Sequence, residues 1–217
     1  MIAKLNQVEL FYEKSGTGRP LVMLHGNGED HTIFREAVAI LKEHCTVYAV
    51  DSRDHGRSTR VSELHYEDMA EDMIAFMEAL DLRDVIFYGF SDGGVVGLIA
   101  AQRTDRISRL IVSGANMTPD SVSLRYKLLF KLLYALKKDQ KIYMMMREPN
   151  ITPEDLKKIG VATTVFAGQH DLISKKETRL IAASIPNAKL RILPGETHGN
   201  YIVHSTKIAD LILQEIG

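Results

Sequence analysis

A serine, an aspartate and a histidine, each placed just past a short apolar run, are the residues of this chain whose types and order best suit chemistry. Ser91 lies in Gly89-Phe90-Ser91-Asp92-Gly93-Gly94, between the apolar run 85–88 and a helical pattern that includes residues 95–101. G-x-S-x-G in that context is a sharp strand-to-helix turn, which holds a hydroxyl above a sheet. The helix N-terminus behind it favours negative charge developing on a reacting carbonyl. A serine hydroxyl is a weak nucleophile at its ordinary pKa, so it needs a base and a carboxylate that orients the base. Gly168-Gln169-His170-Asp171 follows the run 164–167, and Gly195-Glu196-Thr197-His198-Gly199 follows the run 190–193. Ser91, Asp171 and His198 therefore surface at strand ends in the chain order nucleophile, acid, base, the order expected of this strand-and-helix architecture.

The tetrahedral oxyanion of such a reaction needs donors. His25-Gly26-Asn27-Gly28 follows the run 21–24, and a glycine-rich turn there can aim a backbone N–H at the oxygen addressed by the Ser91 turn. The expected pair is the N–H groups of Asn27 and Asp92. Phosphate cradling is the competing use of such a turn, but neither G-x-x-x-x-G-K-[ST] nor G-x-G-x-x-G is present. Of the eight histidines, His25 is read as structural, and His31, His44, His65 and His204 as solvated or satisfied groups in or beside helices. His170 adjoins the proposed acid but points away from it in an extended chain. Glu29, Asp30, Asp120 and Glu196 are further carboxylates near the same face, with Asp120 the rival acid. The loop 51–58, DSRDHGRS, is read as structural, with Asp51 and Arg53 pairing locally. Asp92 has two readings for its carboxylate: complementing the helix dipole, or pairing with a substrate ammonium.

These residues must be positioned by elements, and the chain supplies a regular series. Apolar runs at 21–24, 47–50, 85–88, 110–112, 164–167 and 190–193 read as buried parallel strands. They alternate with helical patterns at 32–42, 66–80, 94–103, 175–184 and 201–216, which makes an α/β, doubly wound, mostly parallel sheet of about eight strands. Residues 8–14 alternate more openly and precede a Gly/Pro turn cluster at 15–20, the pattern of an N-terminal antiparallel hairpin. Met69, Met73 and Met77 form a core stripe at helical spacing.

About 35 residues of helical pattern after Ser113-Gly114 exceed an ordinary crossover, so 117–159 is expected to be a helical cap inserted in a single domain spanning 1–217. Within it Leu124, Leu128, Leu132 and Leu136 recur every fourth position among Arg125, Lys127, Lys131, Lys137 and Lys138. The expectation is an apolar roof with the leucines facing inward over Ser91, and Phe130, Tyr134 and Met144, Met145 and Met146 helping to line the pocket. Thr152-Pro153-Glu154-Asp155 reads as a helix start, with Thr152 as N-cap and Asp155 completing a capping box.

Composition narrows the class. The 217 residues carry 27 Lys and Arg against 28 Asp and Glu, so no global field recruits nucleic acid or holds the chain stably on a membrane. A single cysteine, Cys45, precludes an intrachain disulfide and offers no cysteine-based zinc site, which fits a reducing cytoplasm. Residues 1–16 show neither a signal-peptide core nor a membrane-spanning run.

Together these motifs resemble the α/β-hydrolase fold family, specifically its small capped serine hydrolases of the carboxylesterase type. The resemblance runs from the N-terminal hairpin to the last helix, outside the cap. His25-Gly26-Asn27-Gly28 matches the family's oxyanion loop, Gly89 to Gly94 its nucleophile elbow, Asp171 its acid and His198 its base. The loop 51–58 is similar to the family's D-x-R-G-x-G-x-S, with Asp54 standing where the family has glycine. The resemblance implies a small-molecule ester substrate and no metal or organic cofactor, and the short cap, which leaves limited room, sets the expectation of small-to-medium acyl groups. C–C bond hydrolysis or perhydrolysis on the same three residues is the enzymatic alternative. A receptor-like ligand binder with negligible turnover, and a membrane-surface protein acting through the basic cap helix, are the alternatives from other classes.

Overall fold

The computed structural model describes residues 1–122 and 124–217; Ser123, inside the expected cap, lies outside the described residues. Eight strands form one sheet: β1 (Ile2–Lys4), β2 (Glu9–Ser15), β3 (Pro20–Leu24), β4 (Thr46–Val50), β5 (Val85–Phe90), β6 (Ile107–Ser113), β7 (Ala162–His170) and β8 (Ala188–Thr197). Their spatial order is β1-β2-β4-β3-β5-β6-β7-β8. β1 and β2 form an antiparallel hairpin, β2 also pairs antiparallel with β4, and every later pairing is parallel. β3, β4 and β5 are apolar along their length because helices cover both faces.

The helices are α1 (Arg35–Leu41), α2 (Tyr66–Ala79), α3 (Asp92–Ala100), α4 (Leu124–Lys137), α5 (Gln140–Arg147), α6 (Pro153–Leu156), α7 (Lys175–Ser184) and α8 (Lys207–Ile216). Two apolar clusters bracket the sheet. One gathers α2, α3 and the C-terminal half of α7, with Met69, Met73 and Met77 buried as expected, and the other gathers α1 and α8. α8 starts at Lys207, six residues later than its pattern suggests, because 201–204 turn back on Gly199 through the N–H groups of Ile202 and Val203. The 3₁₀ turn His31–Phe34 precedes α1 and is started by Asp30, which accepts from Thr32 N–H at 2.9 Å.

The loop after β4 is structural, but its pairing differs from the expected Asp51–Arg53 contact. Arg53 reaches across to α2, donating from Nε to Asp72 Oδ2 at 2.6 Å and from Nη2 to Oδ1 at 2.7 Å, with both side chains buried. Asp51 instead accepts the backbone N–H of His31 and of Arg57 at 2.8 Å and contacts His31 Nδ1 at 2.7 Å. The guanidinium fork demands two coplanar acceptor oxygens, which the Asp72 carboxylate supplies. Removing one member of so buried a pair typically costs about 3–5 kcal/mol.

Residues 117–159 carry α4, α5 and α6 between β6 and β7. Thr152 and Asp155 make the expected reciprocal cap, with Thr152 N–H on Asp155 Oδ2 at 3.0 Å and Asp155 N–H on Thr152 Oγ1 at 3.2 Å. The leucine stripe does not face inward. Leu124, Leu128, Leu132 and Leu136 are 58–73% exposed. Phe130 and Leu133, from another face of α4, turn toward the sheet instead. No helix among the described residues is long and apolar enough to cross a membrane.

Candidate active site

Ser91 follows the last residue of β5 and precedes the first of α3, with φ 51° and ψ −113°. A positive φ on a residue with a Cβ is strained, and its neighbours hold it there. Its N–H donates to Ser113 carbonyl at 2.8 Å, and its carbonyl accepts from Val95 N–H at 3.0 Å. Gly93 lets the turn press against β3, since a Cβ there would collide with the carbonyls of Leu24 and His25.

His198 lies in the loop just past β8. Its Nε2 is 3.1 Å from Ser91 Oγ, and its Nδ1 is 2.7 Å from Asp171 Oδ1. With Nδ1–H donating to the carboxylate, Nε2 is the acceptor for the serine hydroxyl. The imidazole packs beside the Phe90 ring, centroids 5.1 Å apart. Gly114, at φ 63°, leaves room for it: a Cβ there would lie 2.6 Å from His198 Cε1 and 2.8 Å from Nδ1.

The Asp171 side chain is only 2% exposed. Burial works against its charge, but the hydrogen bond and field of His198, with N–H donors from Ile173 at 3.0 Å and Gly168 at 3.2 Å, hold its pKa below the usual carboxylate range. The rival acid is elsewhere: Asp120, 95% exposed, pairs with Lys127 at 2.7 Å. Glu196 pairs with Lys207. His170 points outward and is exposed, as its extended backbone requires. Asp30, His31 and Asp51 cluster closely enough to suggest cation ligands, but their carboxylates already accept the N–H and hydroxyl donors described above and Thr32 Oγ1.

The two residues expected to supply oxyanion donors touch through their side chains, Asn27 Nδ2 donating to Asp92 Oδ2. Among the described residues, neither the Asn27 nor the Asp92 backbone N–H donates to a protein acceptor. Asp92 is the first residue of α3, whose N–H has no partner inside the helix. His25 is structural: its Nδ1 lies 2.8 Å from Gly26 carbonyl, and its Nε2 accepts Ser52 N–H at 3.1 Å. Burial, and then the neighbouring His55, lower its pKa to about 4, so it is neutral.

The Asp92 carboxylate does not face substrate, which corrects the ammonium-pairing reading. Asp92 is 3% exposed, with Oδ1 accepting Tyr66 Oη at 2.7 Å and Oδ2 accepting Asn27 Nδ2 at 2.8 Å. The side chains of Asn27 and Asp92 thus hold each other. Asn27 Nδ2 also donates to Lys141 carbonyl at 3.2 Å, and Lys141 Nζ pairs with Asp54 Oδ2 at 2.5 Å. One residue of α5 therefore ties the cap to the oxyanion loop and to the loop after β4. Asp54 takes φ 62°, the conformation the family's glycine would adopt freely, and its carboxylate is what glycine would lack. Sequence spacing carries no signal for this three-way contact.

Above Ser91 and His198 is a mostly apolar cavity of about 320 Å³, roofed by Phe130 and Leu133 of α4 and Ile142 and Met145 of α5. Phe130 and Met145 are where the sequence reading puts them. Tyr134 instead stacks on Tyr143, Met144 is buried in the core, and Met146 lines a neighbouring hollow with Asp120 and Lys127. Glu29 also lines the cavity, where its Oε2 accepts Gly26 N–H at 2.9 Å. Burial raises the Glu29 pKa.

Comparison with known proteins bears on the same features. A family profile described as alpha/beta hydrolase fold matches residues 19–155. A non-heme haloperoxidase of Rhodococcus erythropolis is 34% identical over 113 residues, covering 49% of this chain and 40% of that protein. The non-heme chloroperoxidase CPO-A1 of Kitasatospora aureofaciens is 26% identical over 92% of each chain. The chain spans 37% to 42% of the length of the curated relatives it matches at 34–37% identity. Among solved structures, a thermophilic esterase from Thermogutta terrifontis superposes with a TM-score of 0.84 at 20% identity, over 100% of this chain and 98% of that one. At that identity the likeness is one of fold.

Proposed function

The chain belongs to the α/β-hydrolase fold family, and on that premise we propose that it is a serine hydrolase cleaving small-to-medium carboxylic esters through an acyl-enzyme intermediate. The observation that carries this reading is the continuous Asp171–His198–Ser91 contact, 2.7 Å and then 3.1 Å, beneath the apolar cavity. His198 Nε2 takes the Ser91 proton as Oγ attacks the ester carbonyl, and the imidazolium is stabilised by Asp171. The Asn27 and Asp92 N–H groups receive the oxyanion. The imidazolium protonates the departing alcohol, and the neutral imidazole so regenerated takes a proton from the water that attacks the acyl-enzyme, then returns it to Ser91 Oγ as the acid leaves. The cavity volume, at the low end for ligand sites, supports short acyl groups.

The test is turnover over a chain-length series of activated esters, with fluorophosphonate labelling read by mass spectrometry. Ser91 should carry the label. Ser91→Ala and His198→Ala should each lose roughly a thousandfold or more in kcat, since the three residues act as a unit. Asp171→Asn should be crippling and Asp120→Asn mild. Intact labelling of Ser91→Ala, or rates that keep rising into long-chain esters, would refute the reading.

A second outcome for the same acyl-enzyme is attack by peroxide in place of water. The near full-length match to a non-heme chloroperoxidase favours it. Ester-dependent peracid formation in hydrogen peroxide, absent in Ser91→Ala, is its measurement.

A further inference from the structure

Of the eight large apolar side chains exposed among the described residues, five sit on one helix: Leu124, Leu128, Leu129, Leu132 and Leu136 of α4. That concentration marks an interaction surface, because single exposed leucines are ordinary but a contiguous row is not. Spacing of four residues puts the row on one side of a helix about 21 Å long. Phe130 falls on the opposite side, with Leu133 between it and the edge of the row, and these two roof the cavity. α4 is thus apolar on two faces, one satisfied by the site beneath and one unpartnered.

Charge identifies what covers the second face. From residue 124 to 138 there are five cations, Arg125, Lys127, Lys131, Lys137 and Lys138, and no acidic residue. Only Lys127 of these is salt-bridged among the described residues. The chain as a whole carries −1, so this positive charge is local to the row. A second copy packed symmetrically through this face would set the same cations against each other. An anionic surface with an apolar layer beneath it satisfies both the lysines and the leucines.

We propose that α4 docks on an anionic lipid bilayer, its leucines entering the acyl boundary and its lysines and arginine pairing with headgroup phosphates. The docking helix is also the roof over Ser91, so the cavity is held at the membrane surface. This inference is independent of the ester-hydrolase reading, since it is measured by binding.

The experiment is sedimentation of the whole chain with vesicles of phosphatidylcholine alone and of mixed phosphatidylcholine and phosphatidylglycerol. Binding to the mixed vesicles is expected to be about tenfold or more stronger and to weaken with added salt, as screened headgroup contacts require. Leu128→Asp with Leu132→Asp should abolish it, and Lys131→Glu with Lys138→Glu should reduce it to the level of the neutral vesicles. Circular dichroism and the thermal melting midpoint, both unchanged in the leucine variant, separate lost docking from lost folding. Absence of binding to the mixed vesicles, or undiminished binding by the leucine variant, overturns the proposal. So does a dimer in size-exclusion chromatography that the leucine variant splits while wild type ignores vesicles.

Discussion

Glu29 brings a carboxylate into a cavity whose other walls are mostly apolar, and among the described residues only its Oε2 meets a protein donor. A substrate ammonium near the scissile carbonyl would meet that carboxylate, so the ammonium pairing considered for Asp92 is tested at Glu29. The ratio of kcat/KM for an amino ester over its des-amino analogue is expected to be about tenfold in wild type, the scale of a charge-assisted hydrogen bond, and near unity in Glu29→Gln. Because burial raises the Glu29 pKa, the preference should fade on acidification at a higher pH than an ordinary glutamate would give. A ratio unchanged by the substitution would leave Glu29 as an acceptor for Gly26 alone. Ser91, Asp171 and His198 were legible because each lies in a local motif tied to a strand end. The fate of the Asp92 carboxylate was not, since Tyr66 and Asn27 reach it from 26 and 65 residues away.

Among the elements, α5 has the most specific attachment to the site. Lys141 gives its carbonyl to Asn27 and its ammonium to Asp54, so the roof and the oxyanion loop share an anchor. Lys141→Ala and Asp54→Gly are each expected to raise KM for a neutral ester several-fold with a smaller change in kcat. The double variant should be little worse than the worse single one, because both remove the same contact. Full additivity of the two effects would break the link. The strands and most helix positions followed from apolar runs and periodicity; Ile2–Lys4 escaped because three residues are too few to show alternation. α4 shows the limit differently. A four-residue leucine repeat defines a helix face, but which face meets the core depends on how α4 packs on α5 and the sheet, and that placed Phe130 and Leu133 inward.

At the scale of the whole molecule, the loops that build the site also set its response to acid. Folded His25 has its pKa lowered to about 4, chiefly by burial, against roughly 6.5 in an unfolded chain. The unfolded state therefore binds the proton first, and stability held above about pH 6.5 falls as the pH drops toward 4. Thermal melts across that window should show the decline, and His25→Asn should flatten it even if it lowers the plateau; an equally steep curve would remove His25 as the source. The backbone at Ser91, with its positive φ, carries a different consequence, an opposition between durability and turnover. Conformations of this kind cost on the order of 1–3 kcal/mol for a residue with a Cβ, whereas glycine adopts them freely and gives back only about 0.4–1 kcal/mol through the unfolded chain. Ser91→Gly should therefore melt above Ser91→Ala, and at or above wild type, while hydrolysing nothing. The strained serine thus sets melting temperature against the turnover proposed for it, and the two measurements on Ser91→Gly are expected to move in opposite directions.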